Sequence, residues 1–262
     1  MSLPSSSFSA GSGIRTGREL TAAEEALLTR RRRSTAVVTS VAVALGVGAF
    51  AGLGWLSGHP RTATRTRTHA NGLPSIVAEY TGHQRNGAFR QYHPNGRLKA
   101  EGQYVLDVEE GPWTRYFFDG GVESSGVMKH GDREGPWQMF WPHGRLRAVE
   151  AYKNGVADGH WVRWYQDGQI EHEAFYRSGL AHGLQRQWHA NGALASSGMY
   201  VDGYAEGEHT AWHDNGQPAL VGTYVRGRRH GPFQEYERDG TLWRTQAWDR
   251  GDIVRDGTGA GR

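Results

Sequence analysis

From residue 69 to residue 254, apolar, polar and glycine positions recur in register every 24 residues without an insertion. One glycine column runs through Gly87, Gly111, Gly135, Gly159, Gly183, Gly207 and Gly231, and a second follows nine residues later, from Gly96 to Gly240. A third runs from Gly131 to Gly251, with Asp107 in its place in the first full unit. Aromatic columns lie between them: Phe89, Trp113, Trp137, Trp161 and Phe233; then Tyr92, Tyr116, Phe140, Trp164, Trp188, Trp212 and Tyr236; then Tyr104, Met128, Tyr152, Tyr176, Tyr200, Tyr224 and Trp248. Such self-similarity marks a tandem array in which each unit is one supersecondary element. Each unit reads as a β-hairpin. The mid-repeat Asn-Gly or Asp-Gly pair, His143-Gly144 in one unit, supplies the turn. The second strand alternates, so that Leu98, Ala100, Gly102 and Tyr104 share a face, with large residues at its ends and small ones between. In the first strand the rings stand three apart, so either a bulge intervenes or both faces carry rings. The junction glycine (Gly87, Gly111 and their equivalents) is expected to turn the chain into the next hairpin. Full repeats begin at 87, 111, 135, 159, 183, 207 and 231 after a partial repeat at 69–86, giving an array over 69–254 and a tail at 255–262. The fold class is therefore all-β: an elongated antiparallel meander of about fifteen strands, roughly 70 Å long at the usual strand spacing.

The residues ahead of the array have a different pattern. Residues 1–33 are Ser/Gly-rich, then basic, and the capping-box sequence Thr21-Ala-Ala-Glu24 is suited to start a short helix that runs into Arg30–Arg33. The uncharged stretch 34–56 is long enough, at ~1.5 Å per helical residue, to cross the hydrocarbon core as a single transmembrane helix. The four-arginine run favours a cytoplasmic N-terminus and extracytoplasmic repeats, with Arg61, Arg65 and Arg67 on the far flank weakening that preference. A cleavable signal peptide is the competing reading, given Ala49-Phe50-Ala51. The long region before the apolar core favours an uncleaved signal anchor. Ala44, Gly48 and Gly52 form a small-residue ridge suited to a homodimer through the membrane helix. Residues 57–68 read as a linker.

Composition narrows the function classes. There is no cysteine, which excludes disulfides, thiolate metal sites and cysteine nucleophiles. Nine of the 30 basic residues and three of the 27 acidic ones fall in 1–70, leaving 21 basic and 24 acidic residues for the rest. Positive charge thus collects beside the apolar stretch and not on the repeats, against a nucleic-acid partner.

Candidate chemistry follows the repeat. His93, His189 and His213 share one turn position, and His182 and His230 share another. Neighbouring units would set His189 and His213 ~10 Å apart, too far to share a metal without a third ligand. Glu110, Glu134, Asp158 and Glu206 form an acidic column suited to cations or a basic partner, or simply to solvated edge charge. No phosphate loop, nucleophile elbow or zinc-binding helix motif occurs. The expectation is a binding scaffold and not an enzyme, with no cofactor, no metal and no assignable binding residues.

The pattern Gly-x-Trp-x-x-aromatic-x-x-Asn/Asp-Gly-x-aliphatic, followed by Tyr and Gly, resembles the MORN-repeat-variant proteins, a bacterial branch often labelled antitoxin components of toxin–antitoxin systems. The resemblance spans about 69–254. It implies hairpin arrays used for protein contact or, in MORN repeats more broadly, lipid contact. Neutralisation of a partner toxin and lipid binding by the repeats are thus alternatives to a protein or polysaccharide partner. The pattern breaks at Gln185 and His209, where the first aromatic column fails, and at Pro218, which replaces an aliphatic residue. Drift accounts for these breaks more simply than a local groove does.

Overall fold

A computed structural model describes residues 61–258. The first strands are β1 (Thr62–Thr68), β2 (Pro74–Thr81), β3 (Gln84–Tyr92), β4 (Leu98–Val105), β5 (Val108–Tyr116) and β6 (Val122–Lys129). There follow β7 (Asp132–Phe140), β8 (Leu146–Lys153), β9 (Val156–Ala157), β10 (Gly159–Trp164), β11 (Ile170–Arg177), β12 (Leu180–Ala181) and β13 (Gly183–Trp188). The last are β14 (Leu194–Val201), β15 (Tyr204–Trp212), β16 (Pro218–Val225), β17 (Arg228–Tyr236), β18 (Leu242–Asp249) and β19 (Asp252–Thr258). Each strand pairs antiparallel with its neighbour in sequence, in one sheet. β9 and β10 are two halves of one strand broken at Asp158, and β12 and β13 are likewise broken at His182. The ladder continues across both breaks, where Asp158 N donates to Ala151 O and His182 N to Phe175 O. The predicted meander is present.

Three expectations change. Thr62–Thr68, within the segment read as a linker, is a strand paired in register from Thr62–Thr81 to Thr68–Pro74. β-Branched threonines and a paired neighbour are enough to extend the sheet there. The tail likewise gives up residues 255–258 to β19. The apolar stretch 34–56 and the basic segment 1–33 lie outside the described residues.

The second change concerns the turns. The junction glycines do not turn the chain; they sit inside strands. Gly135 lies within β7 at φ +68°, beside a register shift between Ser125 and Val127 of the partner strand. A left-handed residue at a bulge suits glycine, so the requirement read from the sequence holds while its cause differs. The hairpins close instead at the third glycine column. Asn154 (φ 49°) and Gly155 (φ 76°) form a two-residue loop with both residues left-handed, as a type I′ turn demands. In the first full unit Leu106 and Asp107 adopt the same shape without glycine. There the Asp107 carboxylate accepts from both the backbone N and the side-chain Nε of Arg85. The mid-repeat turns are longer: Gly96 N donates to His93 O and His93 N to Arg97 O.

The third change follows from a second bulge. Gln91 pairs with Ala100, but Tyr92 pairs with Leu98, so one residue of β4 is extra, and the same shift recurs beside the mid-repeat turn along the array. Cross-strand partners share a face, and Tyr92 alternates away from Gln91. Leu98 therefore leaves the face of Ala100, Gly102 and Tyr104 and joins that of Tyr92. Of the two readings of the odd ring spacing, rings on two faces holds: β3 runs unbroken from Phe89 to Tyr92, and the bulge lies in the partner strand. The core lies on one face, where Ala78, Phe89, Tyr104, Trp113, Met128 and Trp137 are buried together. Its rings meet edge-on or tilted, Phe89 against Tyr104 at 5.1 Å and Tyr104 against Trp113 at 5.4 Å between centroids. Small residues make room: a Cβ at Gly102 would collide with the Trp113 ring and one at Gly126 with Trp137. Arg85 covers Tyr104, Arg133 covers Trp137 and Arg229 covers Phe233, so a single-layer sheet gains a partial lid of guanidinium stacks.

Candidate functional site

The polar columns are mostly consumed in joining one unit to the next. Nε2 of His93 contacts Tyr116 O at 3.1 Å, His189 contacts Trp212 O at 2.8 Å and His213 contacts Tyr236 O at 3.0 Å. A carbonyl accepts only, so the ring carries its proton on Nε2 and donates. Trp141 Nε1 (to Trp164 O) and Tyr165 Oη (to Trp188 O) do the same from the equivalent position. The histidines are thus inter-repeat staples, which explains why indole and phenol replace them. His189→Tyr is accordingly expected to stay within about 0.5 kcal/mol of the parent, whereas His189→Phe loses about 1 kcal/mol; urea unfolding measures both.

The acidic column has a job that sequence reading did not find. Glu110, Glu134 and Glu206 accept, at 2.8 Å, from the backbone N of His130, Asn154 and Arg226, and Asp158 accepts from Ser178 N at 3.0 Å. Each donor is the first left-handed residue of the next tight turn. His182 stands in for a carboxylate, with its Nδ1 3.4 Å from Asp202 N. The constant 20-residue offset was the available signal. Among the described residues no group of three His, Asp or Glu side chains is arranged to hold a metal.

At the mid-repeat turn Asn95 accepts from Arg97 N and donates through Nδ2 to Phe118 O, and Asn191 likewise reaches Asp214 O. Asp119 accepts from Gly121 N but has no amide to donate. Asp119→Asn is expected to add one inter-repeat hydrogen bond and stabilise the array by about 0.5–1 kcal/mol, read from the urea midpoint.

The two breaks in the first aromatic column differ. His209 keeps its ring between Tyr200 and Tyr224, with centroids at 5.3 and 4.9 Å, and its Nε2 bonds Met199 O just as Trp137 bonds Val127 O. It replaces an indole in kind. Gln185 supplies no ring, and its neighbourhood is polar. His172 beside it is held below the ordinary histidine range, by burial first and then by Arg163. Glu150 takes a position that is glycine in several other units, and it is 5% exposed. Tyr152 donates to it at 2.6 Å, Arg133 donates to Tyr152, and Arg163 approaches it at 3.5 Å.

On the opposite face, burial and the hydrogen bond to Glu101 push the Tyr116 hydroxyl up to about 12. In the unfolded chain a tyrosine ionises near 10. The unfolded state therefore binds fewer protons above that pH, and stability is full below about pH 10 and lost as pH rises toward 12. Tyr104 and Tyr152 shift the same way, chiefly by burial. Unfolding midpoints taken from pH 9 to pH 12 are expected to fall, and less steeply in Tyr116→Phe.

Two kinds of depression remain open. At the type I′ edge a broad one of about 1210 Å³ is bounded by Val201, Tyr204, Val225, Arg226, Arg228 and Arg250. On the core-side face near the mid-repeat turns, two smaller ones of about 300 and 370 Å³ adjoin and share Arg163 and Glu171 as a wall. The bulge explains the second pair. Arg163 pairs with His172 and Trp164 with Ile170, so Glu171 is the extra residue and lies beside His172 on the Arg163 face. Trp141 and Tyr165 line the turn side, held by the staples just described.

The MORN repeat variant family model matches this chain three times, at residues 85–105, 157–178 and 181–202, and each match begins in the first strand of a hairpin or its turn and extends into the second. The chain carries MORN-variant repeats. No curated protein matches it. The matched segments take in the polar break at Gln185 as well as regular units. In MORN-variant terms, the aromatic columns build the sheet and the remaining polar columns tie its units together.

Proposed function

We propose that this chain is a membrane-anchored, non-catalytic scaffold whose MORN-variant sheet holds a protein or polysaccharide partner. One observation carries the reading. The recurrent histidines, carboxylates and asparagines, the residue types from which reactive centres are built, are largely spent on inter-repeat hydrogen bonds. What the array offers instead is two extended faces and repeated depressions, the equipment of a binding surface. The anchor is residues 34–56, and the charge flanking it supports repeats on the extracytoplasmic side. The test joins topology to capture. Full-length protein in intact and permeabilised cells is treated with protease, and in parallel is cross-linked in its native membrane and purified in mild detergent. Repeats cut from outside, with a specific partner retained, support the reading. Repeats protected until the inner membrane is opened would reverse the orientation. No retained partner across several envelope preparations would remove the scaffold function itself.

A further inference from the structure

We infer that the paired depressions around Glu171 form a binding groove for an extended, neutral, β-1,4-linked polysaccharide. The inference rests on the scaffold reading and names the chemistry of its partner. The groove joins aromatic rings to planar polar groups, which is what a sugar ring with an apolar face and a hydroxyl rim requires. Trp141 lines one depression and Tyr165 the next, each fixed by its own bond to the following unit, Trp141 Nε1 at 3.3 Å from Trp164 O and Tyr165 Oη at 2.7 Å from Trp188 O. Rings fixed in this way lose little freedom when a ligand covers them.

The polar groups are available. Glu171 is half-buried, lies in the wall shared by both depressions, and makes no hydrogen bond or ion pair among the described residues. Arg163 leans on Glu150 at only 3.5 Å and leaves roughly half of its side chain in solvent. Gln187 reaches Ser196 at 3.4 Å, a long bond easily exchanged for a hydroxyl. Donors on Arg163 and Gln187 thus lie in one groove with acceptors on Glu171 and Gln187, the mixture that sugar hydroxyls demand.

Charge and backbone chemistry decide against other occupants. Arg147 and Arg163 are balanced by Glu150 and Glu171, so the site attracts neither an acidic nor a basic chain. An extended peptide would seek strand pairing, but the strands beneath the groove are paired on both sides. Recognition here rests on side chains alone. Spacing adds the last argument. Equivalent positions in successive units are two strands apart, about 9.6 Å, which is close to the length of one disaccharide in an extended β-1,4-linked chain. A ligand in register with Trp141 is then in register with Tyr165.

The experiment is titration calorimetry of full-length protein in detergent with cellohexaose and chitohexaose, each against its disaccharide. Binding of at least one hexasaccharide, ten-fold or more tighter than its disaccharide, is expected. Glu171→Ala with Gln187→Ala should weaken it at least ten-fold while leaving the melting temperature near that of the parent. Trp243→Ala, on an exposed ring outside the groove, should leave binding unchanged. Should the double variant lose stability, Arg163→Lys serves as the second probe, since it keeps charge but removes the planar fork. The proposal is overturned if no hexasaccharide binds, if disaccharide binds equally well, or if the groove variants bind as tightly as the parent. A protein captured from the envelope under those circumstances would leave the scaffold standing with a peptide partner; loss of both would end both.

Discussion

Trp137→Ala is expected to destabilise the array by about 3–5 kcal/mol, as truncating a buried tryptophan usually does. Trp137 is 1% exposed, belongs to the buried core cluster, and donates Nε1 to Val127 O at 3.1 Å. Its loss also takes from Arg133 one of the two rings it covers, leaving Tyr152. The damage should be local, because each unit touches only its neighbours. Amide exchange is the right measurement: protection in β6, β7 and β8 should fall well before that in β16 to β18. An equal loss at both ends would show that the sheet melts as one block. Trp243→Ala, by contrast, removes a ring that is 48% exposed and is expected to stay within about 0.5 kcal/mol.

The second large effect comes from adding one carbon atom. Gly126 faces the Trp137 ring so closely that a Cβ would overlap Cγ, Cδ2 and Cε2. Gly126→Ala is expected to cost about 1–3 kcal/mol by overpacking. Backbone strain is not the cause, since Gly126 is absent from the left-handed residues. The decisive measurement is a double-mutant cycle. In the Trp137→Ala background the new methyl enters vacated space, so its cost should vanish and the coupling should reach about 1–3 kcal/mol. An undiminished cost in that background would place the penalty in the backbone after all.

Much of this architecture is readable in the sequence, and the reason is repetition. A ring recurring at Phe89, Trp113, Trp137 and Trp161 can only be a structural position, and glycine at 102, 126, 198 and 222 gives it room. What could not be read depends on where backbone geometry breaks the strand period. Gly135 and Gly155 both demand φ > 0, one at a bulge and the other in a tight turn, and nothing in the residue type separates them. The partner of Glu134 was hidden for the same reason: the turn amide it accepts from exists only once the turn is placed at Asn154 and not at Gly135. The shift that moves Leu98 to the face of Tyr92 likewise belongs to register and not to composition. The groove around Glu171 escaped for the opposite cause. Its position carries Lys99, Glu123, Arg147, Glu171, Ala195, Ala219 and Trp243 in successive units, so a reading by columns passes over it as noise. Variable positions in a repeat are where one unit becomes chemically distinct from the next.

The staples that link Asn95 to Phe118 O and His93 to Tyr116 O reach 23 residues ahead, always from one unit into the following one. Most units thus present the same kind of plug in front and socket behind, the unit from 111, with Phe117 and Asp119 at the staple positions, being the exception. Removing or duplicating one whole 24-residue module rejoins a plug with an equivalent socket, whereas an excision out of phase leaves both ends without a mate. The lineage of such a chain is therefore free to change its reach in whole modules, by slippage between near-identical stretches of coding sequence, without first redesigning a core.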